Sequence, residues 1–210
     1  GIRESVPCCA LVLAVGQGGR DTYRLLYAAG MAMGKKPFAV GVRIEHPQSL
    51  IDSAQFGALA GHPRLSPAEY GLTGRSGERG VYTFCMCPGG RVIASSSAEG
   101  EVVVNGMSDH ARDGVNANAA VVVQVMDADT PDEPLAGLRF IEAMEQAAFR
   151  LGGGDYFAPA ARVEDYLAGK ATRSFGSVTP TYRPVAAPCL LQDALPDFVA
   201  KGVADGVRAF

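Results

Sequence analysis

The sequence predicts an α+β protein: an N-terminal strand and helix, a mostly antiparallel sheet in the middle, and a helical C-terminal part. Apolar residues follow helical spacing near both ends, and they alternate with a period of two in the middle. Short turns rich in Gly and Pro separate the alternating segments. With 210 residues, 48% of them apolar, the chain can bury a core of its own.

The composition argues against several classes of partner. Nineteen basic and 22 acidic residues give a net charge of −3 without runs of either sign, so nucleic acid is not expected. The apolar runs are shorter than the ~18 residues of a membrane-spanning helix, so no membrane is expected either. Five irregularly spaced cysteines are typical of a reduced, cytoplasmic protein. A chain that begins with Gly instead of Met would fit an excised piece of a longer protein.

The N-terminal part resembles half of an α/β unit. Residues 7–15 predict a buried strand, and a glycine-rich turn leads from it to a helix over residues 20–34. Leu26, Gly30 and Met33 would lie near one face of that helix.

This turn raises the possibility of a dinucleotide site. Gly16 and Gly18 follow the strand, and Glu45 ends the next strand, where a ribose ligand would lie. Asp21, however, takes the place of the third glycine of the fingerprint, and its carboxylate would compete with a phosphate. A plain turn with Asp21 or Thr22 capping the helix is therefore favoured, and Gly16 and Gly18 are weak cofactor-binding candidates.

A second strand is expected over residues 36–46. Pro47 then opens a short helix that stops at Gly57. Residues 58–80 are rich in Gly, Pro, Ser and Arg and predict a long loop, of a length that is often functional or mobile.

The middle of the chain predicts an antiparallel meander with short turns. Its strands are expected at 81–87, 91–96 and 101–106, with a more buried one at 116–126. In the first of them Tyr82, Phe84 and Met86 would form the core side.

The last third predicts helices. A polar connector over 127–137 leads into a helix ending at the glycines from 152 onward, and shorter helical patterns follow at 162–169 and 196–210. The apolar stripes are Phe140, Met144, Ala148 and Leu151 on the first helix and Val199, Val203, Val207 and Phe210 on the last.

Two cysteines lie one residue apart at Cys85 and Cys87. In a regular strand they would share a face about 6.6 Å apart, whereas a disulfide requires Cβ atoms about 3.8 Å apart. No second Cys pair or spaced His pair supports zinc. Structural or site-lining thiols are favoured, and a reactive thiolate beside Arg43 or Arg91 is the other interpretation.

Polar residues are dense between residues 95 and 118, a pattern typical of either a ligand pocket or a solvated loop. They include Asn105, Ser108, Asp109, His110, Arg112, Asp113, Asn116 and Asn118. Ser108, Asp109 and His110 are adjacent, and no Gly-x-Ser-x-Gly elbow occurs, so a hydrolase triad is not favoured.

A second polar group, Arg43, Glu45 and His46, ends the strand before Pro47. It combines a cation, an acid and a base within four residues. Acid–base function and an ion pair that caps the following helix are equally compatible with these residue types.

Several long motifs carry a family resemblance. FAVGVRIEHPQSLIDSAQFG, ERGVYTFCMCPGGRVIASSSAEGEVVVNGMS, RDGVNANAAVVVQV and EQAAFRLGGGDYFAPAARVEDYLAG resemble a bacterial family of predicted FAD-dependent dehydrogenases, uncharacterised flavoproteins related to the HI0933-like group. The resemblance covers nearly the whole chain. The family's N-terminal Gly-x-Gly-x-x-Gly fingerprint and its C-terminal glycine-rich segment are missing, and AVGQGGRDTY departs from the usual AxGHSARDTY. The chain resembles the central portion alone.

The resemblance implies three domains: residues 1–36 as the edge strand and helix of an incomplete flavin-binding domain, 37–126 as an antiparallel substrate-side domain, and 127–210 as a helical part packed on it. FAD would belong to the full-length protein and not to this fragment. The implied partners are an unknown small-molecule substrate and the remainder of the flavin domain. The substrate- or flavin-facing candidates are Arg43, Glu45, Cys85, Cys87, Asn105, Ser108, Arg112, Asn116 and Asn118.

The expected function is therefore that of the substrate-side domain of an FAD-dependent oxidoreductase, catalytically incomplete as this fragment. Two alternatives remain open at this point. One is a non-catalytic module that binds a small molecule or a protein through the segment 95–118, and the other is a nucleotide binder that uses Gly16 to Glu45.

Overall fold

The computed structural model describes residues 4–210 and divides them between Met33 and Gly34 into two units. The first three residues of the expected 1–36 domain lie outside the described part. In the first unit, residues 4–18 form no strand, so the prediction of one at 7–15 is wrong. A strand needs a hydrogen-bonded neighbour, and the described residues of this unit supply none.

The first unit contains the helix α1 (Arg20–Ala28), which begins at the predicted place. It ends earlier than predicted, because the backbone turns at Gly30 with a φ of +83°. Gly30 and Met33 therefore lie beyond the helix, so the prediction that they share one helix face with Leu26 is wrong.

From Gly34 onward the chain combines helices with two antiparallel sheets and one short parallel pair of strands, so the predicted α+β class is confirmed. The strands are β1 (Phe38–Pro47), β2 (Thr73–Ser76), β3 (Arg79–Cys87), β4 (Gly90–Ala94), β5 (Val104–Ser108), β6 (Asn116–Val125), β7 (Ala158–Ala160) and β8 (Ala186–Pro188). The helices are α2 (Gln48–Phe56), α3 (Ala136–Leu151), α4 (Val163–Leu167) and α5 (Asp197–Ala209). None of the helices formed by the described residues is long and apolar enough to cross a membrane.

The main sheet has the strand order β1-β6-β3-β2, and every neighbouring pair in it is antiparallel. The expected meander is wrong, because β4 and β5 pair with each other and β6 lies between β1 and β3. The strand β6 lies in the interior of the sheet, and its face with Ala117, Ala119, Val121, Val123 and Val125 is buried throughout, as its apolar sequence requires. The segment predicted as a long loop contains β2, which forms the far edge.

The helix α5 covers one face of this sheet. Its Val199 and Val203 are fully buried against Val81, Val121 and Val123, as the predicted helical stripe requires. Each fully buried valine contributes about 1.5 kcal/mol or more, so this layer is a main source of stability.

The helix α3 joins the two apolar clusters of the second unit. Its Met144 packs against the α5 layer, and Ala148 packs against a second cluster that includes Val92 and Tyr182. At the start of α3, Phe140 meets the edge of Phe38 at a centroid distance of 5.9 Å. Phe140, Met144 and Ala148 of the predicted stripe therefore lie on the face that packs.

The face of the sheet opposite α5 carries the polar residues of interest. We call it the open face; it comprises Gly41, Arg43, Tyr82, Phe84, Ala120 and Val122, which lie beside one another in the register of β1, β6 and β3. Phe84 is 63% exposed, so its predicted place on the core side is wrong. The core side of β3 is that of Val81, because α5 covers it.

Candidate functional site

The strand β3 contains a β-bulge at the two cysteines. Phe84 pairs with Ala120 and Cys87 pairs with Asn118, so β3 has one residue more than β6 over this interval. Cys85 takes up the irregularity in the left-handed region, at a φ of +51°. The prediction that Cys85 and Cys87 share a face is therefore wrong: Cys85 is exposed, whereas Cys87 is buried beside Asn118.

The bulge turns the carbonyl of Cys85 toward the open face. This oxygen accepts a hydrogen bond from Nη1 of Arg43 at 3.2 Å and another from Sγ of Cys87 at 3.3 Å. Bulges commonly redirect groups beside functional sites. Here the redirected group is a main-chain acceptor for an arginine.

Arg43 is the centre of a group that we call the arginine cluster: Arg43, Cys87, Asn105 and Asn118. Its Nη1 donates to Oδ1 of Asn118 at 2.6 Å, and its Nη2 donates to Oδ1 of Asn105 at 3.2 Å. Asn118 has no exposed surface, and its Nδ2 has no hydrogen-bond partner. The fold thus brings together four of the predicted site residues, from β1, β3, β5 and β6.

Gly106 allows β5 to pass over this cluster. A Cβ atom at this position would overlap Oδ1 of Asn118 and Nη1 of Arg43 and would lie 2.8 Å from Sγ of Cys87. Sequence reasoning missed Gly106, although a glycine within a strand pattern is a signal of close approach.

Cys87 is not set up as a nucleophile. Burial raises the pKa of its thiol, and the opposing charge of Arg43 does not compensate for this. The other predicted cation, Arg91, pairs with Asp109 at 3.1 Å. Within residues 4–210 no three His, Cys, Asp or Glu side chains are grouped to hold a metal ion.

Glu45 belongs to a different network, which we call the glutamate cluster: Glu45, Asn116 and Thr181. The carboxylate accepts hydrogen bonds from Nδ2 of Asn116 at 3.0 Å and from Oγ1 and N of Thr181 at 2.5 and 3.1 Å. Thr181 Oγ1 in turn accepts a bond from the Val92 amide. This carboxylate ties β1 to β4 and to the segment before β8, which is a structural role.

His46 lies apart from Arg43 and Glu45. Its Nε2 is 2.8 Å from the hydroxyl of Tyr70, and its Nδ1 is 3.2 Å from the carbonyl of Pro47. Burial raises the pKa of Tyr70 to about 12, so its phenol stays protonated at neutral pH. Arg43, Glu45 and His46 therefore form neither an acid–base group nor a helix cap, the two interpretations that were open from the sequence.

The remaining predicted residues, Ser108 and Arg112, line a polar cleft. Ser108 Oγ donates to the carbonyl of Pro88 at 2.7 Å, and Arg112 pairs with Glu69. The cleft is lined by Ser66, Pro67, Glu69, Met86, Cys87, Pro88, Ser108, Asp109, His110, Ala111 and Arg112. Tyr70 and Thr181 were missed by sequence reasoning, because both lie outside the periodic segments and become partners only through the fold.

The glycine turn before α1 does not have the context of a nucleotide site. No strand precedes Gly16 and Gly18 within the described residues. Gly19 is the N-cap of α1 and has no side chain to cap the helix. Of the two predicted caps, Asp21 acts from inside the first turn, where its Oδ1 accepts a hydrogen bond from the Thr22 amide at 2.8 Å. The carbonyl of Gly16 accepts a bond from the hydroxyl of Tyr23 at 3.0 Å.

Two comparisons with known proteins find matches to this chain. A protein of Clostridium beijerinckii, described as an uncharacterized protein, is 46% identical over 210 residues. The match takes in 99% of this chain but 39% of the relative, so the chain spans about two fifths of that protein's length. Residues 37–210 match the family described as FAD-dependent protein, C-terminal domain-like. Since this match covers most of the sequence, the chain belongs to that family.

Proposed function

We propose that this chain is the substrate-side part of an FAD-dependent oxidoreductase, a dehydrogenase related to the HI0933-like flavoproteins. The observation that carries the proposal is the family match over residues 37–210, because the description of that family names FAD. The relative's much greater length supports a cofactor site built largely from residues outside this chain.

The residues of this chain are better suited to contact a substrate than to hold the cofactor. The turn at Gly16 and Gly18 has no preceding strand, so it does not fit a pyrophosphate site. The arginine cluster does fit a polar ligand, because Arg43 is fixed by oxygen acceptors and a buried amide group of Asn118 is left without a partner.

FAD, when bound, supplies the electron-transfer chemistry. The role of the chain's own residues is to bind and orient the substrate. Cys87 is held as a protonated thiol, and Glu45 already accepts bonds from Asn116 and Thr181, so neither is free to act as a nucleophile or base. Arg43 remains as the charged group that can position a substrate on the open face.

The proposal is tested by the flavin content of two proteins: this chain of 210 residues and the full-length protein that contains it. We expect the full-length protein to carry stoichiometric FAD, with flavin absorption in the visible range, and the 210-residue chain to be colourless. Stoichiometric FAD on this chain would contradict the location that we propose for the cofactor. A full-length protein without flavin would reject the oxidoreductase and favour a non-catalytic binding module that uses the segment 95–118.

A further inference from the structure

We propose that the open face binds the carboxylate of a small organic acid, and that Arg43 is the residue that holds it. The inference names the substrate class of the oxidoreductase and in that sense rests on the proposed function. It is argued, however, from the contacts of Arg43 and from the residues around it.

The first argument is the state of the Arg43 guanidinium. It has five N–H donors, of which Nη1 uses two, on Asn118 and on the Cys85 carbonyl, and Nη2 uses one, on Asn105. The Nε–H and one N–H of Nη2 remain. The Nε–H and an N–H of Nη2 on the same edge of a guanidinium match the two oxygens of a carboxylate.

The second argument is charge. All three acceptors of Arg43 are neutral, being two amide oxygens and one carbonyl. Within residues 4–210 no Asp or Glu forms an ion pair with Arg43, whereas the partly buried Arg79 pairs with Asp129 at 2.5 Å. A half-buried guanidinium without a counter-ion is set up to receive an anion from outside the chain.

The third argument is the shape of the surface next to Arg43. Across the sheet, Arg43 pairs with Ala120 and Ala120 pairs with Phe84, so the arginine and the phenyl ring stand on strands about 10 Å apart. The short side chain of Ala120 leaves the surface low between these two strands, beside the guanidinium, which leans toward Asn118. The exposed ring of Phe84 supplies an apolar wall for the body of the acid.

The fourth argument is that the chain tolerates two unfavourable features that serve to position this arginine. Cys85 is held in a left-handed conformation, which aims its carbonyl at Nη1. Asn118 is fully buried with an unpaired Nδ2, which directs its Oδ1 at the same nitrogen. Local strain and unsatisfied polar groups of this kind are concentrated at functional sites.

The test is a titration of the ¹⁵N-labelled 210-residue chain with sodium benzoate, followed by NMR at the arginine Nε–H signals. The Arg43 signal is identified by its loss in Arg43→Lys. We expect benzoate to shift it saturably, and uncharged benzamide, of the same size, to leave it unchanged at equal concentration. We expect inorganic phosphate to bind at least about tenfold more weakly than benzoate.

Variants locate the site. We expect Arg43→Lys to weaken benzoate binding about 10- to 100-fold, since charged hydrogen bonds of about 1.5–3 kcal/mol are lost and each 1.4 kcal/mol is tenfold. Phe84→Ala removes the apolar wall and should weaken binding several-fold without disturbing the core, because Phe84 is exposed. Arg91→Gln, which alters an arginine that already has a carboxylate partner, is the matched control and should bind as the unaltered chain does.

Three results would overturn the inference. The first is the absence of any saturable shift at Arg43 with benzoate, and the second is an equal response to benzamide. The third is a preference for inorganic phosphate, which would assign the face to a phosphate group, as in a nucleotide cofactor. If Arg43→Lys does not fold, the Arg43 Nε–H signal is assigned through its bonds from the sequential assignment of the labelled chain, and the comparison of benzoate with benzamide and the Phe84→Ala variant still decide. Flavin content plays no part here, so benzoate binding beside a flavin-free full-length protein would reject the oxidoreductase and keep the carboxylate site.

Discussion

Arg43 on β1 donates a hydrogen bond of 2.6 Å to Oδ1 of Asn118 on β6, although the residue opposite Arg43 in the sheet is Ala120. The guanidinium therefore extends along the strands instead of straight across them. This brings it under β5, where only a glycine, Gly106, fits above it. The arrangement leaves the arginine cluster little freedom to move.

The close approach at Gly106 predicts a large effect from a single methyl group. Gly106→Ala should destabilise the chain by about 1–3 kcal/mol, because the Cβ overlaps Asn118 and Arg43 and Asn118 is too buried to move away. Gly71→Ala is the matched control, since a Cβ there meets no atom within 4 Å. Urea unfolding of both variants gives the comparison, and equal free energies of unfolding would contradict the packing described for β5.

The ion pair between Arg79 and Asp129 predicts a pH-dependent loss of stability. The hydrogen bond from Arg79 lowers the pKa of Asp129 in the folded state. The pair therefore contributes its full stability above the unfolded pKa of about 4, and this contribution is lost as the pH falls through the lower, folded pKa. Asp129→Asn should therefore reduce stability by about 1–2 kcal/mol at pH 7, and the difference should vanish in strong acid.

Thermal unfolding at pH 7 and at pH 3 or below measures this difference. Asp132→Asn, an exposed carboxylate in the same connector, is the control and should change the melting temperature little at either pH. A deficit for Asp129→Asn that persisted unchanged in acid would mean that the pair with Arg79 is not its source.

The bulge predicts unequal reactivity of two neighbouring thiols. At mildly alkaline pH iodoacetamide should modify the exposed Cys85, whereas Cys87 should react only after unfolding, because it is 7% exposed and burial raises its pKa. Both residues lie in the tryptic peptide 80–91, so fragmentation of that peptide by mass spectrometry assigns the label. Equal labelling of the two cysteines in the native chain would argue against the bulge.

The glutamate cluster predicts that Thr181 is needed for stability. Thr181→Val removes the hydroxyl that donates to Glu45 at 2.5 Å and accepts from the amide of Val92, which should cost about 1–3 kcal/mol. Thr179→Val is the control, because the cluster uses only the main-chain carbonyl of Thr179 and its side chain is exposed. In chemical denaturation Thr181→Val should unfold at a clearly lower midpoint than Thr179→Val. Similar midpoints would mean that the hydrogen bond from the Thr181 hydroxyl to Glu45 does not stabilise the fold.

Local patterns in the sequence were sufficient for many of the elements. Helical spacing located α3 and α5, and alternation located β3, because both signals arise from residues close in the chain. The strand order was not accessible in this way, since the pairing of β6 with β1 joins residues about 80 positions apart, such as Val42 and Val121. The strand predicted at 7–15 failed for the same reason, because apolar residues alone do not supply a neighbouring strand.

The candidate site was also predictable only where it depends on local sequence. Arg43, Asn105 and Asn118 could be chosen from the sequence as polar residues at strand ends and turns, and the fold brings them into contact. What the sequence did not reveal is that Cys85 interrupts the alternation, because YTFCMC alternates without a visible break. The side of β3 that becomes core was also hidden, since it depends on where α5 packs.

The extra residue in β3 has a consequence for deletion variants. If Cys85 were removed, Phe84 would still face Ala120 and Cys87 would still face Asn118, with Met86 taking the one position between them. The ladder would become regular, and Phe84 and Cys87 would keep their partners. What the shortened strand would lack is the carbonyl that holds Arg43. Loss of one residue would thus convert the bulged strand into a regular one and would leave Arg43 with two of its three acceptors, the side chains of Asn105 and Asn118.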